Sequence, residues 1–144
     1  MDAFVLIFGI IMERKRLTLI VQPTRLGICR LDPAGPIPDW VYTSPFFSVT
    51  RTSDELSVVC DETLIPEDRL CHKGWRSLKV KGPLNLSDTG ILSSLAAPMA
   101  RAHISLFSVS THDTDYLLVK ESDLLKTIDV FSLQGHRVLY EDSS

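Results

Sequence analysis

The residues best suited to chemistry lie in one short polar stretch, residues 110–116, which reads Ser-Thr-His-Asp-Thr-Asp-Tyr. It separates two apolar runs typical of β-strands, residues 104–110 and 116–120. Its hydroxyls, carboxylates and turn amides are the groups that a zwitterionic amino acid requires. A bound ammonium needs acceptors and a bound carboxylate needs donors once water is excluded. The stretch therefore predicts a ligand pocket.

A catalytic interpretation of this stretch needs a nucleophile, a base and an orienting carboxylate, namely Ser110 or Thr111, His112, and Asp113 or Asp115. Neighbouring residues of a strand or tight turn point in different directions, so these side chains are poorly placed to converge as a relay. The sequence also contains no phosphate-binding loop and no dinucleotide-binding fingerprint. We therefore predict that the protein is not an enzyme, with no catalytic residues and no cofactor.

Composition and charge argue against several classes of partner. The chain has 144 residues, of which 44% are apolar, and a formal net charge of -3. Its basic run, residues 14–16, is too short to form the broad positive face that binds nucleic acid. The apolar run of residues 3–12 is shorter than the roughly 20 residues that span a bilayer. These features predict a cytoplasmic protein that binds neither nucleic acid nor membrane.

The apolar N-terminal run also differs from a signal peptide, because its basic residues follow the apolar residues instead of preceding them. We interpret residues 1–13 as an apolar extension. One interpretation is an upstream translation start, with the domain beginning near Met12, and the other is an anchor at a membrane interface.

The three cysteines, Cys29, Cys60 and Cys71, form an odd set without a CxxC spacing. Such a set is typical of small buried side chains in a reducing compartment, and it does not match a disulfide framework. The scattered histidines add no zinc-ligand spacing. The sequence predicts free thiols and no metal site.

The pattern of apolar residues divides the chain into two halves. The first half contains short strand-like runs separated by Pro, Ser and Asp, at residues 17–21, 26–31, 46–50 and 56–60, with one helical turn at Asp39-Trp40. The second half contains strands at residues 76–81, 104–110, 116–120 and 136–140, and helices over residues 91–102 and 122–134. Ser87 or Asp88 is expected to cap the first helix, Pro98 to kink it, and Gly135 to end the second.

The order strand, helix, strand, strand, helix, strand predicts the ferredoxin-like βαββαβ arrangement of an α+β protein. Two helices then cover one face of an antiparallel sheet, and the other face is free to pair with another domain.

The second half resembles an ACT domain, and more narrowly the repeat unit of the CASTOR-type cytosolic arginine sensors and their small relatives. The motifs that carry the resemblance are Trp75-Arg76-Ser77-Leu78-Lys79-Val80, Thr89-Gly90-Ile91-Leu92, Leu95-Ala96-Ala97-Pro98, Ile104-Ser105-Leu106, and Ser110-Thr111 through Asp115 to Glu121. The first half is similar to the segment that precedes the ACT unit in that family. The resemblance implies tandem ACT-like domains, a divergent one over residues 14–70 and a C-terminal one over residues 74–141.

The resemblance further implies a regulatory amino-acid site at an interface between two ACT domains. Its residues would be Asp88, Thr89, Gly90 and Ile91 at the helix start, Thr111, Asp113 and Asp115 in the polar stretch, and Ser105 and Leu106 from the edge strand of the partner. Glycine permits a close backbone approach, and free amides at a helix start favour a carboxylate.

The arginine sensors of this type pair two such units within one chain, whereas this chain contains one. The resemblance therefore implies a homodimer with two equivalent sites and, in addition, a regulated protein partner. The alternative is a protein-interaction module, or a regulatory subunit, without a small-molecule ligand.

Overall fold

The structure, a computed structural model, describes residues 16–85 and 89–142 and forms one seven-stranded sheet. The order along the sheet is β2-β3-β1-β4-β6-β5, and β7 pairs with β1. The strands are β1 (Thr18–Leu31), β2 (Ser48–Arg51), β3 (Leu56–Asp61), β4 (Cys71–Val80), β5 (Phe107–Ser110), β6 (Asp115–Lys120) and β7 (Arg137–Tyr140).

The helices are α1 (Asp39–Tyr42), α2 (Ile91–Arg101) and α3 (Leu124–Leu133). Helices α2 and α3 pack on the same face of the sheet, since their buried residues share one core with alternate residues of β1, β4 and β6. Its fully buried members include Leu19, Leu78, Leu95, Leu117 and Phe131. This largely antiparallel sheet with two helices on one face confirms the predicted α+β, ferredoxin-like fold.

Strand β1 links the two halves of the chain. Its first residues, Thr18 to Val21, pair in parallel with β7, and its last residues, Leu26 to Leu31, pair with β3. Along its other edge β1 pairs antiparallel with β4. The last strand of the predicted ACT unit, β7, therefore pairs with β1 and not with β4, the first strand of that unit.

The two strands predicted at residues 17–21 and 26–31 form one strand. The pairing of β1 with β4 shifts between Val21 and Arg25, at the position of Pro23. A proline has no N–H to give to the sheet, so it is tolerated where the pairing is irregular. Pro23, which was expected to separate two strands, therefore marks a bulge within one strand.

The ends of the two long helices follow their local sequence. Gly135, with a φ of 89°, ends α3 as predicted, and His136 N–H donates to the Phe131 carbonyl at 3.0 Å. Helix α2 ends in the same motif with a non-glycine residue, since His103 has a φ of 58° and Ile104 N–H donates to the Met99 carbonyl at 3.0 Å. Pro98 lies inside α2 without interrupting it, and the kink expected there stays a prediction.

The prediction of three free thiols is wrong for two of the cysteines. Cys29 and Cys71 lie opposite each other in the β1–β4 pairing and form a disulfide. The two are separated by 42 residues, so only the strand pairing reveals that they meet. Cys60 is free and buried, as expected for a structural thiol.

Cys60 should be almost inert to alkylation in the folded protein. Burial, together with the nearby Asp61 carboxylate, raises the pKa of the Cys60 thiol from 9.0 to about 11. The thiolate is the reactive form, so alkylation near pH 8 should be about a hundredfold slower than in the unfolded chain. Mass spectrometry after timed iodoacetamide treatment measures this rate, and equal rates in native and denaturing buffer would contradict the burial argument.

The same shift gives a pH dependence with a definite sign. The folded state holds the Cys60 proton more tightly, because its pKa of about 11 lies above the unfolded value of 9.0. This contribution to stability is fully present below pH 9 and is lost as the pH rises through about 11.

In the part of the chain that the structure describes, no helix combines the length and apolarity that a membrane crossing requires.

Candidate functional site

The polar stretch forms the hairpin between β5 and β6, and the sheet orients its side chains. Ser110 pairs with Asp115, and the next residue of β6 on the same face, Leu117, is fully buried in the core beneath the helices. Since alternate strand residues share a face, Ser110 and Asp115 lie on the helix-bearing face of the sheet. The Asp115 residue is half-buried there.

The start of helix α2 provides the opposite wall of the site. Gly90 occupies the N-cap position with a φ of 79°, a conformation that a residue with a side chain rarely adopts. The carbonyl of Gly90 accepts from the Ser94 N–H at 2.9 Å and from the Ser93 hydroxyl at 3.1 Å. The first N–H groups of α2 have no acceptor inside the helix, and Gly90 has no side chain to cap them. This end of α2 therefore favours an anion.

These two walls enclose a cleft of about 610 Å³. We call it the Gly90 cleft. Its lining is contributed by the residues before α2, the first two turns of α2 and the hairpin, namely Leu84, Asn85, Gly90, Ile91, Leu92, Ser93, Ala96 and residues 110–115. A carboxylate on one side and a helix N-terminus on the other give the cleft two opposite electrostatic preferences.

The threonines of the hairpin are mainly structural. The Thr111 hydroxyl donates to the Thr114 carbonyl at 3.0 Å and accepts from the Thr114 N–H at 3.2 Å. The Thr114 hydroxyl is buried and donates to the Val80 carbonyl of β4. Thr111 retains one lone pair for a ligand, whereas Thr114 fixes the hairpin to the sheet.

The tip of the hairpin is exposed. His112 Nδ1 lies 2.9 Å from Asp113 Oδ1, and their side chains are 86% and 74% exposed. The backbone carbonyl of Asp113 accepts from the Leu84 N–H at 2.6 Å. This contact holds the hairpin against the chain that leads toward α2. The hydroxyl proton of Thr111 points to Thr114 and not to His112, which argues against the relay considered for catalysis.

The structure brings together five of the predicted site residues, since Gly90, Ile91, Thr111, Asp113 and Asp115 all line the Gly90 cleft. Thr89 is exposed directly before Gly90 and is not part of the lining. Ser87 and Asp88 lie outside the described residues, and the prediction that one of them caps α2 is wrong, because Gly90 occupies the N-cap position.

Ser105 and Leu106 do not line the cleft of their own chain. They were expected in an edge strand, but β5 begins at Phe107. Ile104 is buried at the end of α2, so the chain is still leaving the helix at Ser105 and reaches the sheet two residues later. The edge strand itself is present, because β5 is the last strand on its side of the sheet.

Sequence reasoning missed several lining residues, including Leu84, Ser93 and Ala96. Ser93 and Ala96 are three positions apart and share a helix face, so the helical period could have placed them beside Gly90. Leu84 reaches the cleft through its backbone contact with Asp113, which no local pattern reveals. The described residues contain no cluster of three or more His, Cys, Asp or Glu side chains that could hold a metal.

Comparison with known proteins finds relatives of both halves of the chain. A model of the ACT domain matches residues 70–132, and a model of an N-terminal domain matches residues 24–68. The cytosolic arginine sensor for mTORC1 subunit 1 from Bos taurus is 31% identical over 110 residues, which cover 59% of this chain and 33% of the sensor. The Mus musculus protein is 31% identical over 94 residues, covering 60% of this chain and 28% of the sensor. The chain thus spans about a third of the length of these relatives.

Solved structures with a similar fold include one with substantial sequence identity to this chain. A crystal structure of a protein from Agrobacterium tumefaciens has a TM-score of 0.84 and 40% identity, and the match covers 90% of this chain and 96% of that one. Aspartate kinase from Clostridium acetobutylicum has a TM-score of 0.59 at 11% identity, covering 87% of this chain and 37% of the kinase. The kinase similarity concerns the fold alone. The matched model shows that residues 70–132 of this chain form an ACT domain.

Proposed function

We propose that the chain is a non-catalytic regulatory protein that binds a free amino acid in the Gly90 cleft. The observation that carries the proposal is that Asp115 and the start of α2 line the same cleft. The ammonium of the ligand would bind the Asp115 carboxylate, and the carboxylate of the ligand would bind the first N–H groups of α2. The named relatives are arginine sensors, which supports regulation by an amino acid as the role of this family member.

A second copy of the chain completes the site in this proposal. The Gly90 cleft opens next to β5, whose outer edge has no strand partner among the described residues. Ser105 is exposed immediately before that edge, where an approaching copy could use it. Pairing of two copies would place Ser105 and Leu106 of each beside the cleft of the other. Ligand binding would then change the dimer interface. It would affect a protein partner only if the ligand binds one arrangement of the dimer more tightly than another.

The proposed organisation keeps a divergent ACT-like unit at residues 14–70 and an ACT unit at residues 74–141, in a cytoplasmic protein. The two family matches, over residues 24–68 and 70–132, meet at residue 69, a few residues before this proposed boundary. Residues 1–13 lie outside the described residues, as do residues 14 and 15.

Asp115→Asn should weaken amino-acid binding at least tenfold without unfolding the chain. The substitution keeps the shape of the half-buried side chain and removes the charge that would pair with the ammonium, and a hydrogen bond to a charged group contributes about 1.5 to 3 kcal/mol. A thermal-shift panel of the twenty amino acids identifies the ligand, because a ligand of the native state raises the melting temperature by mass action. Calorimetry on the wild type and the variant then measures the loss.

Asp129→Asn is the matched control, since it removes an equal charge at an exposed residue of α3 that does not line the cleft. We expect its affinity to stay within about twofold of wild type. An equal loss of affinity in both variants would mean that the net charge of the protein, and not a contact in the cleft, determines the affinity. A panel without any stabilising amino acid would reject the proposed ligand and favour the protein-interaction module.

A further inference from the structure

The Gly90 cleft has an apolar wall as well as its two polar ends. Leu84, Ile91, Leu92 and Ala96 all line it, and together they form one aliphatic surface. Leu84 packs against the main core, and Ile91 is only 9% exposed. This surface is fixed by the core beneath it and is available before any ligand binds.

The polar groups of the cleft are concentrated where the backbone of an amino acid would bind. Asp115 and Ser110 face each other across the hairpin, and the N–H groups follow Gly90 at the start of α2. A ligand held by the Asp115 carboxylate and by the N–H groups of α2 would direct its side chain toward the part of the cleft that these groups do not occupy. Leu84, Ile91, Leu92 and Ala96 make most of the wall there, and Asn85 and Ser93 also line the cleft.

The cleft is poorly equipped for a charged ligand side chain. Among the described lining residues the carboxylates are Asp113 and Asp115. If Asp115 takes the ammonium, Asp113 is the carboxylate that remains among the described lining residues, and it is 74% exposed and already bonded to His112. An exposed ion pair contributes little, and a guanidinium or ammonium placed on the aliphatic wall would lose its hydration without compensation.

We propose that the ligand of the Gly90 cleft is an amino acid with an aliphatic side chain. This inference rests on the proposed function and names the class of ligand within it. Leu84, Ile91, Leu92 and Ala96 are the specificity-determining residues, and Ala96 sets the depth available to the side chain, because its methyl group is the smallest of the four.

A series of unbranched amino acids tests the inference on the full chain. Alanine, 2-aminobutyrate, norvaline and norleucine differ by one methylene each, and burying a methylene contributes about 0.8 kcal/mol. Calorimetry should therefore show an affinity that rises by up to about fourfold per methylene. Lysine and arginine, which carry similar stems with a terminal charge, should bind at least tenfold more weakly than norleucine.

Ala96→Leu is the variant that tests the wall. The larger side chain should abolish the gain from norvaline to norleucine while the affinity for alanine changes less than threefold. Ala97→Leu is the matched control, since Ala97 is an exposed neighbour in α2 that does not line the cleft. It should behave as the wild type, with the same rise along the series.

The outcomes separate this inference from the proposed function. Arginine or lysine binding more tightly than norleucine, with loss in Asp115→Asn, would overturn the aliphatic class and leave an amino-acid site in the cleft. A flat series in the wild type, with all members bound equally, would also overturn it. Binding of no amino acid at all would overturn the inference and the proposed function together.

Discussion

Residues 70–144 expressed alone should fail to form a stable fold, although they contain every helix and strand of the predicted ACT unit. The reason is the position of β1, which lies between β4 and β7 and pairs with both. Without β1, the last strand loses its described partner, and one long edge of β4 is exposed. Leu17, Leu19 and Val21 would also leave the core that α2 and α3 cover.

The expected result is a fragment without a cooperative thermal transition. Its far-ultraviolet circular dichroism should show much less strand and helix than the full chain, and most of its amide protons should exchange within seconds. Small domains are stable by only about 5 to 15 kcal/mol, so the loss of a central strand and three core side chains exceeds the margin. The loss of even one such buried leucine costs about 2 to 5 kcal/mol.

A nicked chain provides the control. A protease site inserted in the exposed segment 67–70 should be cut without loss of structure, and the two pieces should elute together under reducing conditions. Reduction is needed because the Cys29–Cys71 disulfide would otherwise join the pieces covalently. A cooperative transition in fragment 70–144, equal to that of the nicked complex, would contradict a structural requirement for β1.

The same strand shows where sequence reasoning works and where it stops. The period of apolar residues predicted α2 and α3 nearly to their ends, because each helix has one buried stripe and a defined C-terminal motif. It could not predict that β1 separates β4 from β7. The choice of strand partners depends on contacts between residues far apart in the sequence, and short apolar strands fit several neighbours equally well.

The candidate site divides in the same way. The polar turn before β6 is a local signal, whereas its pairing with the glycine before α2 was implied by the family resemblance; both line one cleft in the structure. The contribution of Leu84 depends on a tertiary hydrogen bond to Asp113, and the disulfide depends on strand register. Both required the three-dimensional structure.

Arg76→Met should destabilise the protein by about 2 to 3 kcal/mol. The Arg76 side chain is only 14% exposed and joins three parts of the fold. Its guanidinium donates to both Glu121 carboxylate oxygens, at 3.2 and 3.4 Å, and to the Gln22 carbonyl of β1 at 3.1 Å. Removing it leaves the Glu121 carboxylate paired with the exposed Arg25 and takes a donor from the Gln22 carbonyl, at the junction of β1, β4 and the turn before α3.

Two features keep the expected loss below that of a fully buried ion pair. Glu121 is 39% exposed, so water can partly replace the guanidinium. In addition, the buried Arg76 Nε has no hydrogen-bond partner among the described residues, and the variant removes that unfavourable group. Arg76→Lys should recover less than half of the loss, because an ammonium cannot donate to Glu121 and Gln22 in the same geometry.

Arg25→Met is the matched control, since Arg25 pairs with the same carboxylate at 3.4 Å but is 59% exposed. Its expected cost is below about 1 kcal/mol, as for other surface ion pairs. Urea unfolding of the three variants measures the differences in the free energy of unfolding. Equal losses for Arg76→Met and Arg25→Met would mean that charge alone matters at Glu121. A larger loss for Arg76→Met would assign the effect to the buried contacts that hold β1 against the ACT unit.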